Sequence, residues 1–291
     1  TFKIMLKPFN LMVALLLICG CAQLMANPRF DDKTKTYAIP TLTKSPKGEV
    51  VLSWTEKDEK GMVSFYSAAS KDKGKTFSDK KLIYAAPGIG SSRLMRPKLL
   101  FKKDGTMVAV FSLRTDVSVA AANKAPAAHE GGHGDAHAHE KPAATGKTKR
   151  DLQIQYCTSK DQGTTWTAPQ PVDMDARTGI VRGFFDAVVL PNDEIAVAYL
   201  KDVAGSTKHE ERDLRLALTK NGVFQTDRVI DAVVCDCCNI SLLVDAKGTL
   251  NMYYRDNNDD IRDIARMTSS DNAVTFSKSN ILHDDKWQIK G

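Results

Sequence analysis

Ser70-Lys71-Asp72-Lys73-Gly74-Lys75-Thr76-Phe77 and Ser159-Lys160-Asp161-Gln162-Gly163-Thr164-Thr165-Trp166 are two copies of one octad, Ser-x-Asp-x-Gly-x-Thr-aromatic. A third copy, Ser269-Ser270-Asp271-Asn272-Ala273-Val274-Thr275-Phe276, keeps every position except the glycine, which is Ala273. These residue types suit a tight hairpin. Serine and aspartate side chains accept hydrogen bonds from nearby backbone amides, glycine takes a positive φ without steric cost, and the aromatic ring pins the turn to a sheet. Two full copies and a partial one therefore predict a repeated β-unit.

A second repeat supports the first. Lys47-Gly48-Glu-Val-Val-Leu-Ser-Trp54, Asp104-Gly105-Thr-Met-Val-Ala-Val-Phe111, Asn192-Asp193-Glu-Ile-Ala-Val-Ala-Tyr199 and Lys247-Gly248-Thr-Leu-Asn-Met-Tyr-Tyr254 each read as a polar turn followed by a strand ending on an aromatic. Gly48, Gly105, Asp193 and Gly248 are spaced 57, 88 and 55 residues apart, and the long spacing contains an insertion between Thr115 and Arg150. Without it the period is roughly 55, the scale of a four-stranded propeller blade. The apolar runs are short, β-branched and bounded by turn residues, with no long 3.6-residue pattern. The fold class read from these features is an all-β propeller. Four blades are expected over 37–87, 93–175, 180–232 and 233–283.

The octad resembles the Asp box, or BNR repeat, of sialidase-like β-propellers, and the resemblance runs along nearly all of 37–291. It implies six blades, of which this sequence supplies four, with Trp287-Gln288-Ile289-Lys290-Gly291 opening another. It also implies a site. In the family three arginines hold a substrate carboxylate, a tyrosine paired with a glutamate attacks, and an aspartate donates a proton. The bidentate fork of arginine suits a carboxylate. The family's Phe-Arg-Ile-Pro motif corresponds to Tyr37-Ala38-Ile39-Pro40, so its arginine is Ala38 here. The acid, six residues before the box serine, falls on Ser64, with Glu56 and Asp58 as weak stand-ins. In blade four the same count back from Ser269 gives Asp263, and Arg255 stands near where a second family arginine would lie. Arg255, Arg262, Asp263 and Asp256 are thus the candidate catalytic residues, two carboxylates being able to divide acid and base roles. The plain alternative is a salt-bridged loop that closes the blade.

Strand alternation puts the octads on one face and the lead-ins to the inner strands on the other, around a funnel. Arg93, Arg96, Arg182 and Asp186 fall there as candidate ligand-binding residues. So does Cys235-Asp236-Cys237-Cys238, with Cys157 set apart as a buried small hydrophobe. A recurrent Cys-Asp-Cys-Cys, Tyr-Arg-Asp, Ile-Arg-Asp-Ile signature marks the bacterial group that the chain resembles. The three clustered cysteines allow disulfides, expected of an exported protein, or a thiolate site for Cu(I) or Zn(II). The resemblance implies one more cysteine after Gly291, which would complete two disulfides or a four-thiolate set. The 115–150 insertion carries His129, His133, His137 and His139 among Ala, Gly and acidic residues, a composition that forms no core. It is read either as a solvated tract or as a weak Zn, Cu or Ni ligand set.

Residues 1–20 read as a leader, with Lys3 and Lys7 ahead of an apolar run from Phe9 to Ile18. Leu17-Ile18-Cys19-Gly20-Cys21 resembles a bacterial lipobox, making Cys21 the lipidated residue and 21–36 a tether. A secretory signal cleaved near Ala26 is the alternative. Either places the propeller outside the cytoplasm, and the expected location is the bacterial cell envelope, as a periplasmic or outer-membrane lipoprotein. The formal net charge is +6, two of it from Lys3 and Lys7, too mild and too scattered to imply nucleic acid. The sequence therefore points to an exported, lipid-anchored, monomeric propeller that binds a glycan or small anionic ligand on its funnel face. If it is an enzyme, it is a glycoside hydrolase. The rival reading is a non-enzymatic Cu or Zn-binding propeller.

Overall fold

The computed structural model describes residues 27–115, 151–206 and 211–288. The leader with Cys21, the histidines at 129, 133, 137 and 139, and His209 lie outside the described residues. Seventeen strands and no helix are described.

The strands form four antiparallel sheets in sequence order. The first blade is β1 (Lys35–Lys44), β2 (Val50–Asp58), β3 (Val63–Ser70) and β4 (Lys81–Ala86), paired in that order. The second is β5 (Lys98–Phe101), β6 (Met107–Arg114), β7 (Leu152–Ser159) and β8 (Gln170–Pro171). The third is β9 (Arg182–Val189), β10 (Ile195–Asp202) and β11 (Arg212–Lys220), whose outer edge pairs with both β12 (Val223–Phe224) and β13 (Arg228–Val234). The fourth is β14 (Ser241–Val244), β15 (Leu250–Arg255), β16 (Ile264–Ser269) and β17 (Asn280–Ile281). First strands of consecutive blades touch, β1 with β5, β5 with β9 and β9 with β14, so they line the common axis of a β-propeller.

Strand alternation explains the packing. On β6, Met107, Ala109 and Phe111 face blade one, packing with Val51, Val63, Phe65 and Ile83, whereas Val108 and Val110 face blade three with Phe185, Val197 and Tyr199. A third cluster joins blades three and four through Ala198, Leu200, Leu214, Leu242, Met252 and Ala265. β6 and β10, the second strands of the two middle blades, are buried on both faces because each of those sheets lies between two neighbours. The aromatic that ends each repeated stretch is buried, Phe111, Tyr199 and Tyr254 between sheets and Trp54 against Phe30 and Tyr66 on the other side of blade one. Those with a polar atom give it to a carboxylate: Trp54 to Glu56 (3.0 Å), Tyr199 to Asp227 (2.8 Å) and Tyr254 to Asp231 (2.5 Å).

The three octads close β3–β4, β7–β8 and β16–β17. In each, the serine Oγ donates to the aspartate (2.8, 2.8 and 2.7 Å) and accepts the amide four residues on, of Gly74, Gly163 or Ala273 (2.7, 2.9 and 2.9 Å). The threonine gives both its hydroxyl and its amide to the same carboxylate. Those donors hold Asp72 down at about 2, the Thr76 hydroxyl first among them, and hold Asp161 and Asp271 well below the usual carboxylate range for the same reason. Gly74 and Gly163 take φ of 89° and 77°, and Ala273 takes 64° despite its side chain. Phe77, Trp166 and Phe276 are half-buried, with Trp166 and Phe276 against the cores of their blades.

Candidate functional site

The face opposite the octads is assembled by backbone links between inner-strand lead-ins and the ends of second strands. Arg114 N–H donates to Gly88 C=O (2.9 Å), Asp202 to Val181 (3.1 Å) and Cys235 to Arg255 (3.2 Å). These links gather on one side the loops that the sequence placed there. The Arg93–Arg96 loop joins the cysteine loop through Asn239, whose Nδ2 donates to Arg93 C=O (3.3 Å). Both arginines are exposed, and Arg96 Nε donates to Arg93 C=O (2.7 Å). Met95 between them packs on Gly183, where an added Cβ would lie 2.6 Å from Met95 Cε. Glycine is required there by close approach.

Two expectations are corrected. Arg182 does not present its fork to the funnel; it is 1% exposed. Its guanidinium pairs with Asp173, lies 3.7 Å from Asp151, and donates to the carbonyls of Ile180, Asp175 and Arg177. Asp186 is 6% exposed and ties three blades together. Its Oδ1 meets Lys98 Nζ of β5 at 2.6 Å, and its Oδ2 accepts Leu242 N–H of β14 at 2.9 Å. Buried charges need such partners, and the sequence showed the charges without the partners.

In blade four the candidates converge. Asp256 N–H donates to Asp263 C=O (3.0 Å), closing the loop after β15. Asp256 accepts Asn257 N–H (2.8 Å) and Asn258 Nδ2 (2.9 Å), and Asp263 accepts the amides of Lys286 (3.1 Å) and Trp287 (3.3 Å). Both carboxylates are buried and hold main chain. Arg262 reaches Asp236 (3.4 Å), Asp260 (3.9 Å) and Cys235 Sγ (3.9 Å), locking this loop to the cysteine loop. Arg255 differs. Among the described residues it has no ion pair, its Nε is buried without a partner, and its guanidinium lies 4.1 Å from the centre of the Trp287 ring. Trp287 is 46% exposed. Its part was hidden in the sequence, where it reads as the start of another strand; a lone tryptophan between Lys286 and Gln288 is the only signal.

The three clustered sulfurs are unbonded and mutually close, 3.3 Å for Cys235–Cys238, 3.8 Å for Cys235–Cys237 and 3.9 Å for Cys237–Cys238. Hydrogen bonds from Cys237 and Cys238, with Arg262 alongside, lower Cys235, and the hydrogen bonds with Cys235 and Cys237 raise Cys238. Cys157 is buried in the core between blades one and two, its thiol pushed up to about 12 by burial.

Blade one holds no equivalent of the blade-four set. Ala38 stands on β1 beside a bulge at Ile39 (φ 54°), and Ser64 pairs with Glu56 across β2–β3. Glu56 is buried under Lys80 (2.7 Å) and Lys35 (3.3 Å), and Asp58 caps Met62 N–H (2.8 Å). Tyrosine–carboxylate pairs exist, but Tyr199 and Tyr254 are buried between blades and raised chiefly by that burial. They brace sheets rather than face a ligand.

The four blades and their axial strands make this a β-propeller. The chain belongs to the BNR repeat-like domain family, which it matches over residues 141–287. Similar solved structures include a protein of unknown function from Dyadobacter fermentans DSM 18053 (17% identity over 86% of this chain and 70% of that one, TM-score 0.55). The intramolecular trans-sialidase of Ruminococcus gnavus, in complex with oseltamivir carboxylate, is similar at 13% identity, covering 86% and 71% (TM-score 0.53). The α-L-arabinanase of Penicillium chrysogenum, complexed with arabinobiose, is similar at 14% identity, covering 82% and 63% (TM-score 0.51). Likeness at these identities establishes the fold. No curated protein matches the chain in sequence.

Proposed function

We propose that this propeller binds a glycan carrying an anionic group, on the face where blade four presents Arg255 and Trp287. The carrying observation is the unpaired Arg255 guanidinium stacked on a half-exposed tryptophan. A flat ring next to a fork of donors suits a sugar ring bearing a carboxylate, the ring offering an apolar platform and the fork a bidentate partner. Arg93 and Arg96 add positive charge on the same face. Two similar structures hold oseltamivir carboxylate and arabinobiose, which supports a carbohydrate-type ligand. The chain retains the fold of glycoside hydrolases, but Ala38 and Ser64 replace the arginine and acid that the family resemblance calls for in blade one. Asp263 and Asp256 hold loop backbone, so binding is the activity we assign.

The same reading keeps Cys21 as a lipid anchor in a bacterial cell envelope and places the chain in the group marked by Cys-Asp-Cys-Cys. Calorimetric titration of the full chain with sialylated and uronic-acid oligosaccharides tests the binding claim. Arg255→Ala should weaken the best ligand by tenfold or more, about 1.4 kcal/mol, with unchanged melting temperature, and Trp287→Ala should do likewise. Equal affinity in Arg255→Ala, or no binding of any acidic glycan, overturns it.

A further inference from the structure

The cysteine loop carries chemistry that glycan binding does not use. Cys235, Cys237 and Cys238 bring three sulfurs within 4.8 Å of one another, on the face that also presents Arg255. A disulfide needs about 2.05 Å between sulfurs, so any pair here would have to close by more than an ångström. An ion bonded to three sulfurs at about 2.3 Å holds them roughly 3.8–4.0 Å apart, from tetrahedral to flat trigonal. Two of the observed separations, 3.8 and 3.9 Å, match that triangle, and the third, 3.3 Å, needs to open by about half an ångström.

The loop is fixed in this shape by its surroundings. Cys235 N–H is bound to Arg255 C=O, Arg212 donates to Asp236 C=O, and Asn239 holds Arg93 C=O. Cys235 is 2% exposed, while Cys237 is open to solvent, so the triangle has a floor and an entrance. Arg262, 3.9 Å from Cys235 Sγ, supplies positive charge beside sulfurs that would carry negative charge as ligands. Among the described residues no fourth His, Cys, Asp or Glu joins the group.

We infer that Cys235, Cys237 and Cys238 form a three-thiolate site for a soft d10 cation, monovalent copper in preference to zinc. Thiolates select such ions, and Cu(I) accepts trigonal coordination, whereas a structural zinc takes four ligands. Binding would release the thiol protons to solvent without any change in oxidation state.

The test uses reduced, anaerobic full-length protein titrated with Cu(I) against a chromogenic chelator, with X-ray absorption at the copper edge. The expected result is one copper per chain, with sulfur neighbours near 2.3 Å. Cys237→Ser should lose at least tenfold in affinity, and Arg262→Gln a smaller amount. Cys157→Ser, and replacement of His129, His133, His137 and His139 by Ala, should leave the value unchanged. The absorption spectrum of the unmutated protein needs no variant to fold. Copper lost entirely to the chelator, copper held without sulfur neighbours, or copper retained equally by Cys237→Ser would overturn the site. A Cys235–Cys238 disulfide that persists in mild reductant would likewise overturn the site, and zinc held more tightly than Cu(I) would overturn the assignment of the ion.

Discussion

The octad face repeats in three of the four blades the same serine, aspartate and threonine in the same hydrogen bonds, whereas on the opposite face no two blades present the same set. Blade one offers Ala38 and buried Glu56, blade two exposed Arg93 and Arg96, blade three a buried Arg182, and blade four the cysteines with Arg255 and Trp287. The octads spend their polar atoms within eight residues, so each copy folds alike wherever it stands. Several funnel-face residues depend instead on partners from other blades, Arg182 on Asp151 and Asp173, Asp186 on Lys98 and Leu242, and Asn239 on Arg93, so each position is free to differ. Local closure preserves a repeat; long-range partnership diversifies it.

The largest expected effect removes a long-range partner. Asp186→Ala would strip Lys98 of its ion pair and leave the Leu242 amide unbonded, a loss of about 3–5 kcal/mol for a broken buried pair. The midpoint of urea unfolding measures it, and a shift under about 1 kcal/mol would mean the blades hold together without that link. The octads should reveal themselves in acid. Their aspartates are lowered when folded, so the stability they confer is complete above the unfolded value near 3.9. It drains away as pH falls toward about 2, where Asp72 titrates. Melting temperature should therefore drop steeply below about pH 4, and an Asp72, Asp161 and Asp271→Asn variant should show a flatter acid limb. An identical limb in that variant would place acid lability elsewhere. The smallest effect sharpens the comparison inside the octads. Ala273→Gly removes a left-handed conformation costing roughly 1–2 kcal/mol but also a buried methyl worth about 0.8 kcal/mol. A net gain of up to about 1 kcal/mol is expected in thermal unfolding.

This contrast also explains what could be read from the chain. Ser70–Phe77 and its copies state their own hydrogen bonds, and the aromatic-ended strands state their period, so sheets and faces were legible residue by residue. Arg182 and Arg255 look alike in sequence: each is an arginine at one end of a strand. Only the fold puts Asp173 against one and Trp287 against the other. The cysteine triad lay between these cases. Its spacing showed three thiols in one loop, but the choice between paired and ligating sulfur needed the distances.

One detail of the octad face gives the chain a direction. Lys81 of blade one donates to Gln162 C=O and Thr164 Oγ1 in the octad of blade two. Lys103 of blade two grips Pro191 C=O in blade three, and Arg228 of blade three grips the Ala273 and Val274 carbonyls of blade four. Each of these lysine and arginine clasps is owned by the earlier blade and closes on the later one. As the polypeptide is made or exported amino end first, each finished blade already displays the hook for the next. Assembly can then run like a zipper, in the order of synthesis, with no blade waiting on a partner still to come.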